Sequence, residues 1–273
     1  MKVAFQGEHG AYSEAAIFNH FPGRLETAPF SSFEEVFAAI ADGSCECGFV
    51  PIENSLAGSI HRNYDLLLQN QLSVIGEHNL RVSHCLIGKP EASMAGVHKV
   101  ISHPQALAQC DGYLRSLSGV KIEPVYDTAG SVKLVRDQDD PGIAAVASRR
   151  AADIYGMKIL AENIEDNPNN FTRFLIISPQ PVSPGPDAKT SVVFALKNRP
   201  GVLFKALSVF ALRDIDLTKI ESRPLVGKVW EYFFYIDLAG SSEDQNVRNA
   251  LTNLGEYATF LRVLGSYPRY RGI

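Results

Sequence analysis

No stretch of this sequence comes near the ~20 consecutive apolar residues that a membrane-spanning helix needs. A basic excess is also missing, since 26 Lys and Arg stand against 30 Asp and Glu, a formal net charge of −4. Phosphate backbones and anionic bilayers are held by such an excess, so neither nucleic acid nor membrane is expected as a partner. Cysteine is sparse, and the four present (Cys45, Cys47, Cys85, Cys110) form no C-x-x-C pair. Cys45-Glu46-Cys47 sets two thiols one residue apart with no matching pair elsewhere, a poor zinc set, so free thiols and no metal are expected. The chain also lacks H-x-x-H, G-x-x-x-x-G-K-[ST] and G-x-G-x-x-G, which leaves metal, nucleotide and dinucleotide chemistry without support and predicts no cofactor. Met1–Phe5 is too short, ahead of Gln6-Gly7-Glu8, for a signal core and reads as a buried strand; a cytoplasmic location is expected.

What is present divides at one place. Ser178–Asp187 holds four prolines and a glycine, which sustain neither a helix nor a central strand. The expected division is a domain at 1–178, a Pro-rich linker at 179–187 and a second domain at 188–273. In the first domain, short apolar runs alternate with amphipathic stretches, the pattern of an α/β fold. Strands are expected near residues 3–5, 47–51, 72–77, 82–87, 99–102, 122–125, 142–147 and 171–177. Helices are expected at 13–20, at 33–42 behind a capping box of Ser32 and Glu35, and at 104–116 opened by Pro104. Two more follow at 130–136, capped by Asp127 or Thr128, and at 148–155, capped by Ser148. The second domain reads strand 190–196, helix 202–212, strand 216–222, strand 230–238, helix 242–253 and strand 258–264, a βαββαβ order.

In four places a strand hands over to a helix N-terminus: Gly7–Ser13, Asn54–Ser59, Ser102–Pro104 and Asp127–Ser131. Such termini present free N–H groups at the carboxyl ends of strands, where open α/β sheets bind anionic small molecules. Plain capping is an equally good account of each terminus taken singly.

Six segments carry chemistry. Asn169-Asn170-Phe171-Thr172-Arg173-Phe174 is an amphipathic strand start, whose alternation puts Arg173 on the face opposite Thr172. The others are Gly7-Glu8-His9-Gly10-Ala11-Tyr12-Ser13, Pro51-Ile52-Glu53-Asn54-Ser55-Leu56-Ala57-Gly58-Ser59, Ser102-His103-Pro104-Gln105-Ala106-Leu107-Ala108-Gln109-Cys110, Asp127-Thr128-Ala129 and Glu221-Ser222-Arg223-Pro224. In this order the set resembles the signatures of the prephenate dehydratase family: N-F-T-R-F, a G-P-x-G loop (His9 standing where proline is usual), P-I-E-N-S, S-H-P-Q-A-L-x-Q-C and D-T-A. The E-S-R-P segment resembles that of the phenylalanine-binding ACT module. The ACT motif often written G-A-L-V stands here as Gly201-Val202-Leu203-Phe204, with larger side chains at its second and fourth positions.

The resemblance implies an α/β fold in which a two-lobed catalytic domain, similar to type-II periplasmic binding proteins, precedes a small ferredoxin-like ACT domain. It implies conversion of prephenate to phenylpyruvate with loss of water and CO2, without a cofactor, under feedback from L-phenylalanine. Gly130 after Asp127-Thr128-Ala129 resembles plant-type enzymes that also accept arogenate, so an arogenate dehydratase is the alternative, and a non-catalytic amino-acid sensor on the same scaffold a further one. Carried over as catalytic are Thr172, Glu53, Asn54, Ser102 and Gln109; as substrate-binding, Ser55, Gly58, Ser59, Asp127, Thr128, Ala129, Arg173 and Phe174. Thr172 is the expected donor to the leaving hydroxyl. Glu53 or Asp127 could supply a proton if burial raised its pKa, although a structural carboxylate is the commoner fate. Arg173 fits a structural ion pair as well as a substrate contact, Phe174 a core position as well as a ring wall, and His103 a helix cap as well as a ligand. For phenylalanine the residues carried over are Asn198, Pro200, Gly201, Val202, Leu203, Glu221, Ser222 and Arg223, between modules of a homodimer or homotetramer. The opening strand leaves no sign of a fused helical mutase domain, so dehydratase activity alone is expected.

Overall fold

The computed structural model describes residues 1–225 and 230–272. The chain runs β1 (Lys2–Gln6), α1 (Tyr12–His20), β2 (Glu26–Phe30), α2 (Phe33–Ala41), β3 (Cys47–Asn54), β4 (Gly58–Ser59), α3 (His61–Gln69), β5 (Ser73–Arg81) and β6 (Cys85–Gly88). It continues through β7 (Lys99–Ser102), α4 (Pro104–Gln109), α5 (Asp111–Ser116), β8 (Lys121–Pro124), α6 (Thr128–Asp137), β9 (Ile143–Ala147), α7 (Arg149–Tyr155), β10 (Lys158–Glu162) and β11 (Phe171–Ser178). Then follow β12 (Ala188–Leu196), α8 (Val202–Ala211), β13 (Leu217–Pro224), β14 (Tyr232–Ala239), α9 (Gln245–Tyr257) and β15 (Ala258–Pro268). Two compact units result, Met1–Asn63 with His78–Phe174, and Tyr64–Glu77 with Leu175–Gly272.

The first unit is built on two sheets with the same plan. One has the order β2-β1-β3-β11-β5, with β4 paired to β3; the other, read from its far edge, is β8-β7-β9-β6-β10. In each, three strands joined in sequence pair in parallel, first strand central: β1 with β2 and β3, β7 with β8 and β9. The fourth place goes to a strand that enters from the other lobe, β11 in the first sheet and β6 in the second. The chain therefore crosses between lobes twice, after β5 at Val82–His84 and after β10 at Asn163–Asn170. This is the two-lobed α/β architecture that the sequence implied.

Helices cover both faces of the second sheet, which is why β9, Ile-Ala-Ala-Val-Ala, is buried throughout. Ala145 and Ala147 face Ala129, Val132 and Val135 of α6 and Ala151 and Ala152 of α7. Ala144 and Val146, one residue out of phase, face Ala106, Leu107, Cys110 and Leu114. In the second unit β12 crosses the middle of the order β13-β14-β12-β15, the ferredoxin-like order of an ACT domain. Its Val192, Phe194 and Leu196 pack on α8 and α9 through Ala206, Phe210, Val247 and Leu254.

Several expected elements are redrawn. Residues 104–116 form two helices, because Cys110, at φ −120° and ψ 18°, leaves helical geometry. β2, α3 and β10 had no clear signal in the sequence: β2 carries Pro29, and α3 opens on the polar run His61-Arg62-Asn63. Ser32 caps α2 by accepting from Glu35 N, but the Glu35 carboxylate returns to Ser31 N at 3.0 Å, one residue earlier than a capping box requires. Of the two caps considered for α6, Asp127 fills the position and accepts from Gly130 N at 2.7 Å.

Buried His78 on β5 and half-buried His20 at the end of α1 set an acid limit on stability. His78 is 3% exposed, and burial, helped by neighbouring His20, pushes its pKa down to about 4; burial also lowers that of His20. Unfolded, both rings would protonate near ~6.5. Below that value the unfolded chain binds protons that the fold excludes, so stability present above ~6.5 falls as pH drops toward about 4. Urea midpoints should therefore decline from pH 7 to pH 4.5, and less steeply in His78→Gln. A flat profile, or an unchanged slope in that variant, would contradict the assignment.

Candidate functional site

A cleft of about 180 Å³ in the first unit draws on all four of the strand-to-helix junctions. Tyr12 and Ser13 enter it from the start of α1, Asn54 from the end of β3, His103 from the cap of α4 and Thr128 from the start of α6. Thr172 and Phe174 alternate into it from β11, with Gln105, Gln109 and His84 completing the polar wall. The apolar lining comes from Pro51, Ile60, Val82, Ala106 and Phe174, and none of the described lining residues is Lys, Arg, Asp or Glu.

The entry to α1 is held by close backbone approach. Gly10 has φ 91°, and a Cβ there would come within 2.7 Å of Ala151 Cα, so only glycine lets this loop meet α7. Ser148, the cap of α7, donates its hydroxyl to Gly10 O at 2.6 Å. Buried Glu14 completes the junction, accepting from Gly10 N, Thr27, Arg150 and His9; these bonds hold its carboxyl below the usual carboxylate range despite burial.

Asn54 organises the reacting end. Its Oδ1 accepts from Leu56 N at 3.0 Å and Ala57 N at 2.9 Å, which fixes which end of the amide is which. Nδ2 then faces three acceptors: Asn170 Oδ1 at 2.8 Å, Thr172 Oγ1 at 3.1 Å and Phe171 O at 3.2 Å. With a lone pair of Thr172 directed at Asn54, the threonine's own hydrogen is left to donate into the cleft. Ser55 fastens the same loop to β11, donating to Asn169 O at 2.8 Å and accepting from Phe171 N at 2.9 Å.

The remaining expected residues fall less evenly. Thr172, Asn54, Gln109, Thr128 and Phe174 line the cleft. Ser102 does not: its side chain is fully buried and donates to Val146 O at 2.6 Å, tying β7 to β9. Ala129 is 1% exposed in the core under α6, so its place in the motif reflects packing. Asp127 serves as the α6 cap and lines a separate depression with Gly7, Glu8 and Tyr126. Neither Arg173, which alternates with Thr172 along β11, nor Glu53 is in the lining. The backbone of Glu53 pairs with that of Ser59, and Asn54 with Gly58, across β3 and β4, which braces the loop between them. Ser55 likewise acts on the loop. His103 combines its two expected fates: Nδ1 accepts from Gln105 N at 3.3 Å as a cap, and the ring lines the cleft. Tyr12, Ser13, Gln105 and His84 went unassigned in the sequence; His84 lies between motifs with no local pattern to mark it.

In the second unit a cavity of about 260 Å³ is lined by Asn198, Gly201, Val202 and Leu203, with Phe204, Trp230, Tyr232 and Phe234 as its aromatic part. Gly201 stands at the N-cap of α8 with φ 75°, a left-handed turn that a side chain would strain, although a Cβ would meet nothing. Pro200 lines a neighbouring depression, while Glu221, Ser222 and Arg223 lie on β13 outside the cavity. Arg223 is committed to Asp65 on α3, Nη2 to Oδ2 at 3.1 Å.

Fold and cleft together define a two-lobed α/β enzyme domain joined to an ACT module. Residues 3–182 match the family model of prephenate dehydratase and residues 190–256 that of the ACT domain. A relative from Arabidopsis thaliana, arogenate dehydratase/prephenate dehydratase 2, chloroplastic, is 48% identical over 98% of this chain and 73% of its own length. A prephenate dehydratase from Arthrobacter aurescens, solved in complex with L-Phe, superposes with TM-score 0.90 at 31% identity, covering 98% of this chain and 90% of that one. A protein described as a quorum-quenching acylase, GqqA, superposes with TM-score 0.92 at 37% identity, covering 99% of both chains. This chain belongs to the prephenate dehydratase family and is an enzyme of its prephenate/arogenate dehydratase group.

The cytoplasmic expectation is overturned by these relatives, several of which are named as chloroplastic. All four cysteines are buried and free, and burial pushes their thiol pKa values up, that of Cys47 to about 11.

The Asn54 arrangement predicts a specific weakness. In Asn54→Asp the oxygen replacing Nδ2 would face Asn170 Oδ1 and Phe171 O, so two bonds become repulsions around a buried charge, while the Thr172 hydroxyl would turn from the cleft to donate to it. Equilibrium unfolding should show a loss of roughly 2–4 kcal/mol. A loss below about 1 kcal/mol, the scale of an ordinary surface change, would mean that the amide is not held as described.

Proposed function

We propose that residues 1–178 convert prephenate to phenylpyruvate, and that residues 179–187 link them to a regulatory domain at 188–273 that binds L-phenylalanine. The observation that carries the reading is the Thr172 hydroxyl, which accepts from Asn54 and is thereby turned to donate into the cleft. In the reaction the ring carboxylate leaves as CO2, its electron pair enters the ring, and the hydroxyl at the opposite carbon departs. One proton from outside the substrate completes the water. Threonine is too weak an acid to yield that proton and so polarises and orients the leaving group. Thr128, Ser13, Gln105 and His103 suit the carboxylates as donors, helped by the N-terminus of α1, while Phe174 and Ile60 offer apolar surface to the ring.

The same lining favours a keto acid over an amino acid, because arogenate brings an ammonium and no described cleft residue is a carboxylate. The names of the curated relatives favour arogenate, which stands as the second reading. Hydrolysis of the kind named for GqqA would need a base on Thr172, and the group there, Asn54 Nδ2, only donates.

Phenylpyruvate formation should fall about 10²–10³-fold in kcat in Thr172→Ala with KM little changed, and recover partly in Thr172→Ser. Assays with both substrates should give the higher kcat/KM for prephenate. Higher kcat/KM for arogenate would reverse the choice, and no turnover of either would move the chain to the sensor reading.

The cavity of the second unit, with Asn198 and aromatic side chains in its lining, suits an amino acid with an aromatic side chain. Leu212, Phe204 and Trp230 of the same unit are 81%, 76% and 73% exposed, and a second copy covering such residues would give the homodimer or homotetramer. L-Phenylalanine should inhibit the parent, and Asn198→Ala should raise the inhibitory concentration about tenfold without changing kcat/KM in its absence. Equal sensitivity would remove Asn198 from the effector site.

A further inference from the structure

His84 sits at the first crossing between the lobes, is 2% exposed, and lines the cleft without any role in the chemistry above. Its Nδ1 is 2.8 Å from Tyr12 Oη and its Nε2 is 2.9 Å from Gln109 Oε1. Tyr12 has one hydroxyl hydrogen, and 2.7 Å away lies Ser83 O, which can only accept. The hydrogen therefore goes to Ser83, and Tyr12 Oη accepts from His84 Nδ1–H. Burial holds the phenol pKa well above its ordinary value, so the hydroxyl keeps its hydrogen.

A neutral ring protonated at Nδ1 has a bare Nε2, which would repel Gln109 Oε1. The network closes in only two ways. As an imidazolium, His84 donates Nε2–H to Gln109 Oε1, and the Gln109 NH2 is free to donate into the cleft. As a neutral ring, His84 accepts from a reversed Gln109, whose Oε1 then faces the cleft. Burial favours the neutral ring, while Gln109 and Glu165 favour the charged one. The other titratable groups about the ring are Arg81, paired with Glu165 at 2.9 Å, the protonated thiols of Cys85 and Cys110, and His103, which also lines the cleft.

We propose that His84 is a positioning residue whose protonation sets whether Gln109 offers the cleft a donor or an acceptor, and that an anionic substrate selects the charged, donor state. The inference rests on the dehydratase reading. In a cleft whose described lining has no Lys or Arg, an incoming carboxylate gains from the imidazolium both through space and through the Gln109 N–H. Binding then draws in one proton, which enters at His84 Nε2 and stays there.

The test uses the full chain with labelled histidine, and Thr172→Ala as a variant that retains prephenate. The His84 ring shifts should report a pKa raised by about one unit or more when prephenate is added. In the parent, kcat/KM should fall about tenfold per pH unit above the free-enzyme His84 pKa, while kcat stays level. Tyr12→Phe should abolish that limb, because Nδ1 no longer needs its hydrogen and a neutral ring can carry it on Nε2. Turnover by the parent with an unmoved His84 pKa, or a limb that persists in Tyr12→Phe, overturns the inference alone. Absence of turnover by the parent overturns the function on which it rests.

Discussion

Glu165 is the point on which the first unit depends. Its carboxylate, on the second crossing between the lobes, accepts from His84 N at 2.9 Å on the first and from Arg81 Nη2 at 2.9 Å at the end of β5. Around it, Ser83 Oγ donates to Asn163 Oδ1, Ile164 N to His84 O and Val82 N to Asn170 O. Two passages of chain far apart in sequence become one short ladder. Each lobe is incomplete without a strand delivered through that ladder, so neither sheet reaches its full order unless both passages are in place. Thr172 follows β11's first residue directly after the second crossing, and His84, the last residue of the first, directly precedes β6. Both reach the cleft because the crossings are pinned.

This explains how much could be read beforehand. The parallel strands β1, β3, β7 and β9 announce themselves as apolar runs, and the linker does so by proline. The Asn54 loop and β11 carry motifs that resemble the family's signatures, and it is that resemblance, not residue type, that singles out Thr172 and Asn54. β2 and β10 are sheet-edge strands with exposed residues, and their pairing with β1 and β6 decides their conformation more than their composition does. His84 was hidden for a related reason: its partners are 72 and 25 residues away, and nothing local distinguishes a ring that closes such a bridge from one filling a core.

Membership of a motif and place in the fold do not coincide. Ser102, Ala129 and Ser55 sit within chemically loaded segments yet hold β7 to β9, fill the core under α6 and clamp a loop. A site that must fix Thr172 and Gln109 closely needs its supports fixed as well, and those supports are often the sequence neighbours of the reacting groups. Arg173 was separable from Thr172 by alternation alone, since a strand offers a cleft only every second residue.

The lack of Lys and Arg among the described cleft residues looks at first like a defect for binding a dianion. For this chemistry it has a physical logic. A tight ion pair to the carboxylate that leaves as CO2 would stabilise the ground state and weaken as charge moves into the ring, raising the barrier. Neutral donors hold the substrate with less of that penalty, and apolar surface at Phe174 and Ile60 is indifferent to charge and suited to the aromatic product. Positive charge is then useful only where a carboxylate persists through the reaction. A histidine acting through the Gln109 amide meets that need, because it supplies the charge when an anion is present and, as a neutral ring, leaves none buried in the empty cleft.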